Sequence, residues 1–205
     1  MIGSKNDLYF YIQEDQKANL KGKQISKAEW VLKSLYGHES IMACKYLLNL
    51  RKYEYTLNCC RQGFVKKLKV AYYKFMHHRL SLKYNILIMP NTVGYGISLS
   101  HFKIGGGIII NAKKVGNYCS ANSGVIVGNK NGQDNRAEIG NYVSLNVGCK
   151  VVGKISIGDN VIVAPNSVVV KDVPENCVVS GIPAKIIKDS RDINNKSKFY
   201  AKGEA

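Results

Sequence analysis

Stepping by six from Val115 lands on Val115, Ala121, Val127, Gln133, Ile139, Leu145, Val151, Ile157, Val163 and Val169. All but Gln133 are apolar, and most are Val or Ile. A small or polar residue often follows: Gly116, Asn122, Gly128, Gly140, Asn146, Gly158, Ala164. A helix would repeat near 3.6 residues, and a half-buried strand would alternate strictly; neither template fits. A six-residue step is too short to bury its own apolar face, so the steps have to stack on one another. β-branched residues suit short buried strands, and the small residue after each relieves the corner. The pattern predicts a mainly β solenoid.

The pattern changes upstream. Residues 1–88 read as helical. Ser26 and Glu29 form a capping box ahead of Trp30, Leu32 and Leu35, and Gly37 can end that short helix. Ile41, Cys44, Leu47, Leu48 and Tyr55 continue a helical stripe. Phe64, Leu68, Tyr72 and Phe75 make another, read as packing rather than as a cofactor surface. The repeat region spans 89–188. Pro90 and Gly94-Tyr-Gly96 punctuate its entrance. Ile97 and Leu99 alternate with Ser98 and Ser100 as a strand closed by His101, and a glycine-rich break, Lys103-Ile-Gly-Gly-Gly107, follows. The polar run 129–138 keeps the count of twelve between Val127 and Ile139, and reads as a loop leaving the coil. Residues 189–205 read as a polar, frayed tail.

Composition narrows the class. Hydrophobic content of 45% supports a core. No run of about 18 apolar residues exists, so no membrane span is expected. The start, MIGSKNDLYFYIQED, lacks an apolar signal core, so a cytoplasmic protein is expected. The formal charge is +16, and no acid stands between Glu54 and Asp134 against eleven Lys and Arg. Such a surface either is simply solvated or concentrates anions: a phosphate-bearing cofactor, an anionic lipid surface or nucleic acid. No nucleic-acid-binding motif is present. The six cysteines show no metal-ligand spacing. Cys119 and Cys149 each fall four residues after a repeat position and read as small buried fillers.

The segment 139–188, with its hexads and its ending Lys171-Asp-Val-Pro-Glu-Asn-Cys-Val-Val-Ser-Gly-Ile-Pro-Ala-Lys185, resembles the hexapeptide-repeat acyltransferases. Residues 79–102, RLSLKYNILIMPNTVGYGISLSHF, and the helical part with Arg51-Lys-Tyr-Glu-Tyr55 are similar to the serine acetyltransferase-like branch, as found in bacterial polysaccharide gene clusters. The resemblance implies a single-stranded left-handed parallel β-helix of three hexads per coil, a homotrimer, and acetyl-CoA as co-substrate in a groove between coils, with no metal.

His101 is the one histidine of the repeat region. A neutral imidazole suits proton removal from a hydroxyl near neutral pH. The resemblance makes His101 the general base for direct acetyl transfer; the alternative is a histidine satisfied structurally at a corner. The resemblance puts cofactor contacts at Ala164, Pro165, Lys185 and Lys188, and acceptor contacts at Glu39, Ser100, Asp134 and Arg136. Enzymes acting on free serine carry one Asp just before the histidine and another further upstream. Ser100 and Ile86 stand there instead, which favours a sugar or glycan-precursor hydroxyl over an ammonium-bearing acceptor. Serine acetylation for cysteine synthesis, a metal-dependent relative of carbonic anhydrase type, and a trimeric scaffold without chemistry stay open. So does a peripheral contact of the basic half with a membrane or a lipid-linked glycan.

Overall fold

A computed structural model describes residues 1–103, 105–132 and 134–192. Four helices lead: α1 (Lys5–Asn19), α2 (Lys27–Leu35), α3 (Glu39–Cys59) and α4 (Phe64–Tyr84). A parallel β-solenoid follows, whose coils form three sheets.

One sheet stacks Ile86–Ile88, Ile108–Ile110, Val125–Gly128, Lys150–Val152 and Val168–Val169. The second stacks Lys114–Val115, Glu138–Ile139 and Ser156–Ile157, extended by single bridges at Val93 and Val173. The third stacks Ser98–Ser100, Ser120–Asn122, Ser144–Leu145, Ile162–Val163 and Cys177–Gly181. Ala184–Asp189 returns antiparallel along its last edge.

The six-residue count is the register. Val151 pairs with Val169, and Leu145 with Val163, each partner eighteen residues on, so three hexads make a coil. All nine apolar hexad positions occur as partners in these ladders, and all nine lie in the core at 3% exposure or less. The count of twelve between Val127 and Ile139 holds the polar loop; Gln133 itself lies outside the described residues. The coils pack closely at their corners. A Cβ on Gly116 would stand 2.5 Å from the carbonyl carbon of Gly140 in the next coil, so glycine is required by contact there. Cys119 and Cys149 are buried thiols as expected, and burial pushes both up to about 12.

A solenoid end exposes unpaired backbone groups, which have to be covered. Here α1 and α3 cover the first coil with buried polar side chains. Tyr46 Oη accepts from the N–H of Ile88 at 2.9 Å, and Glu54 Oε1 from that of Asn91 at 2.8 Å. Asp15 Oδ1 accepts from Gly96 at 2.8 Å and Ile97 at 3.3 Å, and Asn19 Oδ1 from Leu99 at 3.0 Å. Arg51 donates to the carbonyls of Val93 at 2.9 Å and Gly94 at 2.6 Å. Arg51 is fully buried and also pairs with Asp15 at 2.8 Å and Glu54 at 2.9 Å. At the other end Ser190 closes the last coils. Its N–H donates to Asn176 O at 2.9 Å and its hydroxyl to Asn160 O at 2.6 Å.

Three expectations need correction. The α4 stripe is not internal packing: Phe64, Leu68, Tyr72 and Phe75 are 55–74% exposed, because α4 rests on α3 through its opposite side, around His77, Leu80 and Tyr84. Ser26 does cap α2, accepting from the N–H of Glu29 at 3.1 Å, but the Glu29 carboxylate pairs with Lys33 at 2.7 Å rather than closing the box. Leu32 and Leu35 are exposed as well. The tail begins as ordered structure, since Asp189 ends a strand and Ser190 is buried in a short 3-10 turn; residues 193–205 lie outside the described part.

Candidate active site

His101 follows the outermost strand of the third sheet and takes a left-handed backbone, φ +60°. In the next three coils the left-handed residue at this corner is Gly124, Gly148 or Asn166, each two residues past Asn122, Asn146 or Ala164. In the first coil it comes one residue sooner, because the following link is longer. Ser98 is eleven residues from Ile109, whereas their partners Ser120 and Ile126 are six apart. The imidazole is exposed there. Among the described residues, no side chain hydrogen-bonds that ring.

The turn itself is held. Phe102 is fully buried in the core that contains Ala43, Tyr46 and Leu47 of α3. The N–H of Lys103 donates to Oε1 of Glu39, in the first turn of α3, at 3.4 Å. Gly105 presses on the next coil, where a Cβ would come 2.1 Å from Ser123 Oγ, a buried hydroxyl with no hydrogen-bond partner. The α2–α3 junction thus brings one carboxylate, Glu39, to the segment that carries His101. Ile86 points into the core at 1% exposure. Ser100 is half-buried beside His101.

The third sheet links this corner to the far end of the solenoid. Ser100 pairs with Asn122, and the same row continues through Asn146 and Ala164 to Ser180, which pairs with Lys185. Five strand spacings separate Ser100 from Lys185, about 24 Å. Within the row, Asn122 Nδ2 donates to Asn146 Oδ1 at 3.4 Å, and Asn146 Nδ2 to Val163 O at 2.9 Å. Pro165 is exposed next to Ala164. Lys188 sits elsewhere: it pairs with Val178 at the opposite end of those strands and lines a cavity of about 580 Å³ with Glu175, Cys177, Ile187 and Arg191.

Asp134 and Arg136 do not meet His101 within this chain. Their loop leaves after Val125–Gly128, at the corner between the first and second sheets, whereas His101 lies between the third and the first. Reading by residue type missed Asp15, Asn19 and Glu54, the side chains that fix the coil carrying His101. Their signal was faint: polar residues at helical spacing in segments that otherwise pack.

No protein-family model matches the chain. It is 36% identical over 118 residues to a serine acetyltransferase of Synechococcus elongatus, covering 56% of this chain and 47% of that protein. It is 30% identical over 172 residues to a serine acetyltransferase of Buchnera aphidicola, covering 82% and 58%. The chain thus spans about half the length of the curated relatives it matches. A galactoside O-acetyltransferase of Escherichia coli is 38% identical over 66 residues, 32% of this chain and 28% of that one. Among solved structures, the serine acetyltransferase of Neisseria gonorrhoeae in complex with serine shares 26% identity at TM-score 0.65, over 90% of this chain and 71% of that one. A serine acetyltransferase in complex with CoA has the same fold at 20% identity and TM-score 0.63, over 89% and 71%. The architecture, a left-handed parallel β-helix behind a helical part, is the one these enzymes share.

Proposed function

We propose, from kinship with serine acetyltransferases and other hexapeptide-repeat transferases, that this chain is an acetyl-CoA-dependent O-acetyltransferase with His101 as its general base. The row from Ser100 to Lys185 carries the reading. It starts beside an exposed imidazole, runs along one edge of stacked coils, and ends at an exposed ammonium group. An extended thioester cofactor laid along it puts its acyl carbon at His101 and its phosphates at Lys185. Ala164 and Pro165 lie beneath the arm, the proline offering only its carbonyl and ring. Lys188 lines the cavity at the opposite end of the same strands and is the weaker phosphate contact.

His101 takes the proton of the acceptor hydroxyl as that oxygen attacks the thioester carbonyl. The tetrahedral intermediate collapses, the acetyl ester forms and the CoA thiol leaves; no acyl-enzyme is needed. Backbone N–H groups of the glycine-rich link are the donor type suited to the oxyanion.

The acceptor we favour is a sugar or glycan-precursor hydroxyl. Neither Ser100 nor the buried Ile86 offers a carboxylate, and no acid stands between Glu54 and Asp134. Serine has two supports: Glu39, held against the turn that carries His101, and the names of the relatives. A trimer fits an exposed ladder on the first sheet, where Leu87, Ile109 and Ile126 are in register at 37–42% exposure. In such a trimer the Asp134–Arg136 loop of a neighbour would approach His101. The free thiols suit a reducing compartment, and the reaction is assigned to the cytoplasm.

The test is acetyl transfer from acetyl-CoA to L-serine and to a panel of sugars. His101→Ala should cost at least about 100-fold in turnover with the fold intact. Unchanged turnover would remove His101 from the chemistry, and robust serine turnover would overturn the sugar preference.

A further inference from the structure

We propose that α4 is a docking helix for an anionic phospholipid bilayer surface. The proposal stands apart from the acetyl-transfer reading. On α4, Phe64, Val65, Leu68, Tyr72, Phe75 and Leu82 are 55–74% exposed. At 3.6 residues per turn these six share one face, and the buried His77 and Tyr84 take the opposite one. Exposed lysines flank the apolar face, Lys67 and Lys74 on one side and Lys69 and Lys83 on the other. Arg79 lies within the face, its guanidinium 5.8 Å from the Phe75 ring centre. Large aromatic and aliphatic side chains edged by lysines are what a helix lying in the headgroup layer requires: rings and Leu enter the acyl boundary while ammonium groups reach the phosphates.

Charge selects this occupant over a second copy of the chain. α4 carries no acid, and none stands from 55 to 133, so a contact between two α4 helices would set like charges together. Several acids elsewhere are already engaged: Asp15 and Glu54 on Arg51, Glu14 on Lys17, Glu29 on Lys33, Glu138 on Lys113. The trimer proposed above uses another surface, the Leu87–Ile109–Ile126 ladder. No helix among the described residues is long and apolar enough to cross a membrane, so the contact is peripheral.

The experiment is co-sedimentation of the full chain with vesicles of phosphatidylcholine alone and of phosphatidylcholine mixed with phosphatidylglycerol, at low and high salt. Binding should need the anionic lipid and weaken in salt. Lys67→Gln with Lys74→Gln should weaken it about thirtyfold, at about fivefold per lysine. Leu68→Glu with Phe75→Glu should abolish it, with the circular-dichroism melt and the sedimentation mass unchanged. Absence of binding, equal binding to neutral vesicles, or indifference to either double substitution would overturn the proposal. A smaller particle for L68E/F75E would also overturn it, by giving this face to a second copy.

Discussion

Replacing Arg51 by Ala tests whether the helical part holds the solenoid through its end cap. The guanidinium is fully buried, pairs with Asp15 and Glu54, and satisfies the carbonyls of Val93 and Gly94. Its removal leaves two buried carboxylates without a counter-charge. Burial already pushes the Asp15 carboxyl upward, and Arg51 with the N–H groups of Gly96 and Ile97 pulls the other way. Breaking a buried pair by deleting one partner costs about 3–5 kcal/mol. For a chain of this length each kcal/mol moves Tm by about 2–4 °C. Arg51→Ala should therefore lower Tm by about 6–20 °C in calorimetry at fixed protein concentration. Arg51→Met with Asp15→Asn and Glu54→Gln, which removes all three charges, should lose less than Arg51→Met alone. A fall of under about 2 °C for Arg51→Ala, or a triple variant worse than the single one, would refute the argument that buried charge is what the cap depends on.

Two further predictions follow from buried and crowded groups. His77 lies against Tyr46 and Tyr53, with ring centres at 5.4 and 6.0 Å; burial lowers its pKa below the usual 6.5, against partial counter-effects from the Ile88 backbone and from Glu54. The unfolded chain then binds the proton more readily than the folded one, so the His77 contribution is present above about pH 6.5 and is lost as pH falls below it; His77→Phe should flatten the fall in Tm between pH 7 and 5, and an unchanged slope would count against it. Gly116→Ala forces a Cβ to 2.5 Å from the Gly140 backbone, whereas a Cβ on Gly128 meets nothing nearer than 3.9 Å; the first should cost about 1–3 kcal/mol in denaturant unfolding and the second well under 1, and equal costs would refute the close-packed corner.

The helical part was legible only in outline. The cap on α2 and the stripe through Ile41, Cys44 and Leu47 are local, and they read correctly from spacing. The α4 stripe has the same spacing and faces outward, because an amphipathic pattern says that a face exists and not what covers it. For the candidate site, strand-end His101 was visible in sequence. The distances that matter were not: Glu39 reaches the turn from sixty-four residues away, and Asp15 reaches Gly96 from eighty-one.

The hexads by themselves determined the solenoid. A six-residue step with an inward apolar residue allows only stacked short strands, and the interruption at 129–138 marked where the coil would be left. Tertiary structure alone decided three further things: that Arg51 would be buried rather than solvated, that Ser100 and Lys185 would share one row, and that α4 would keep its aromatic face in the open. The physical reason is common to all three. Periodicity reports how a segment hides its own apolar side chains, whereas the pairing of backbone groups at a solenoid end and the alignment of residues across coils depend on neighbours far away in the chain.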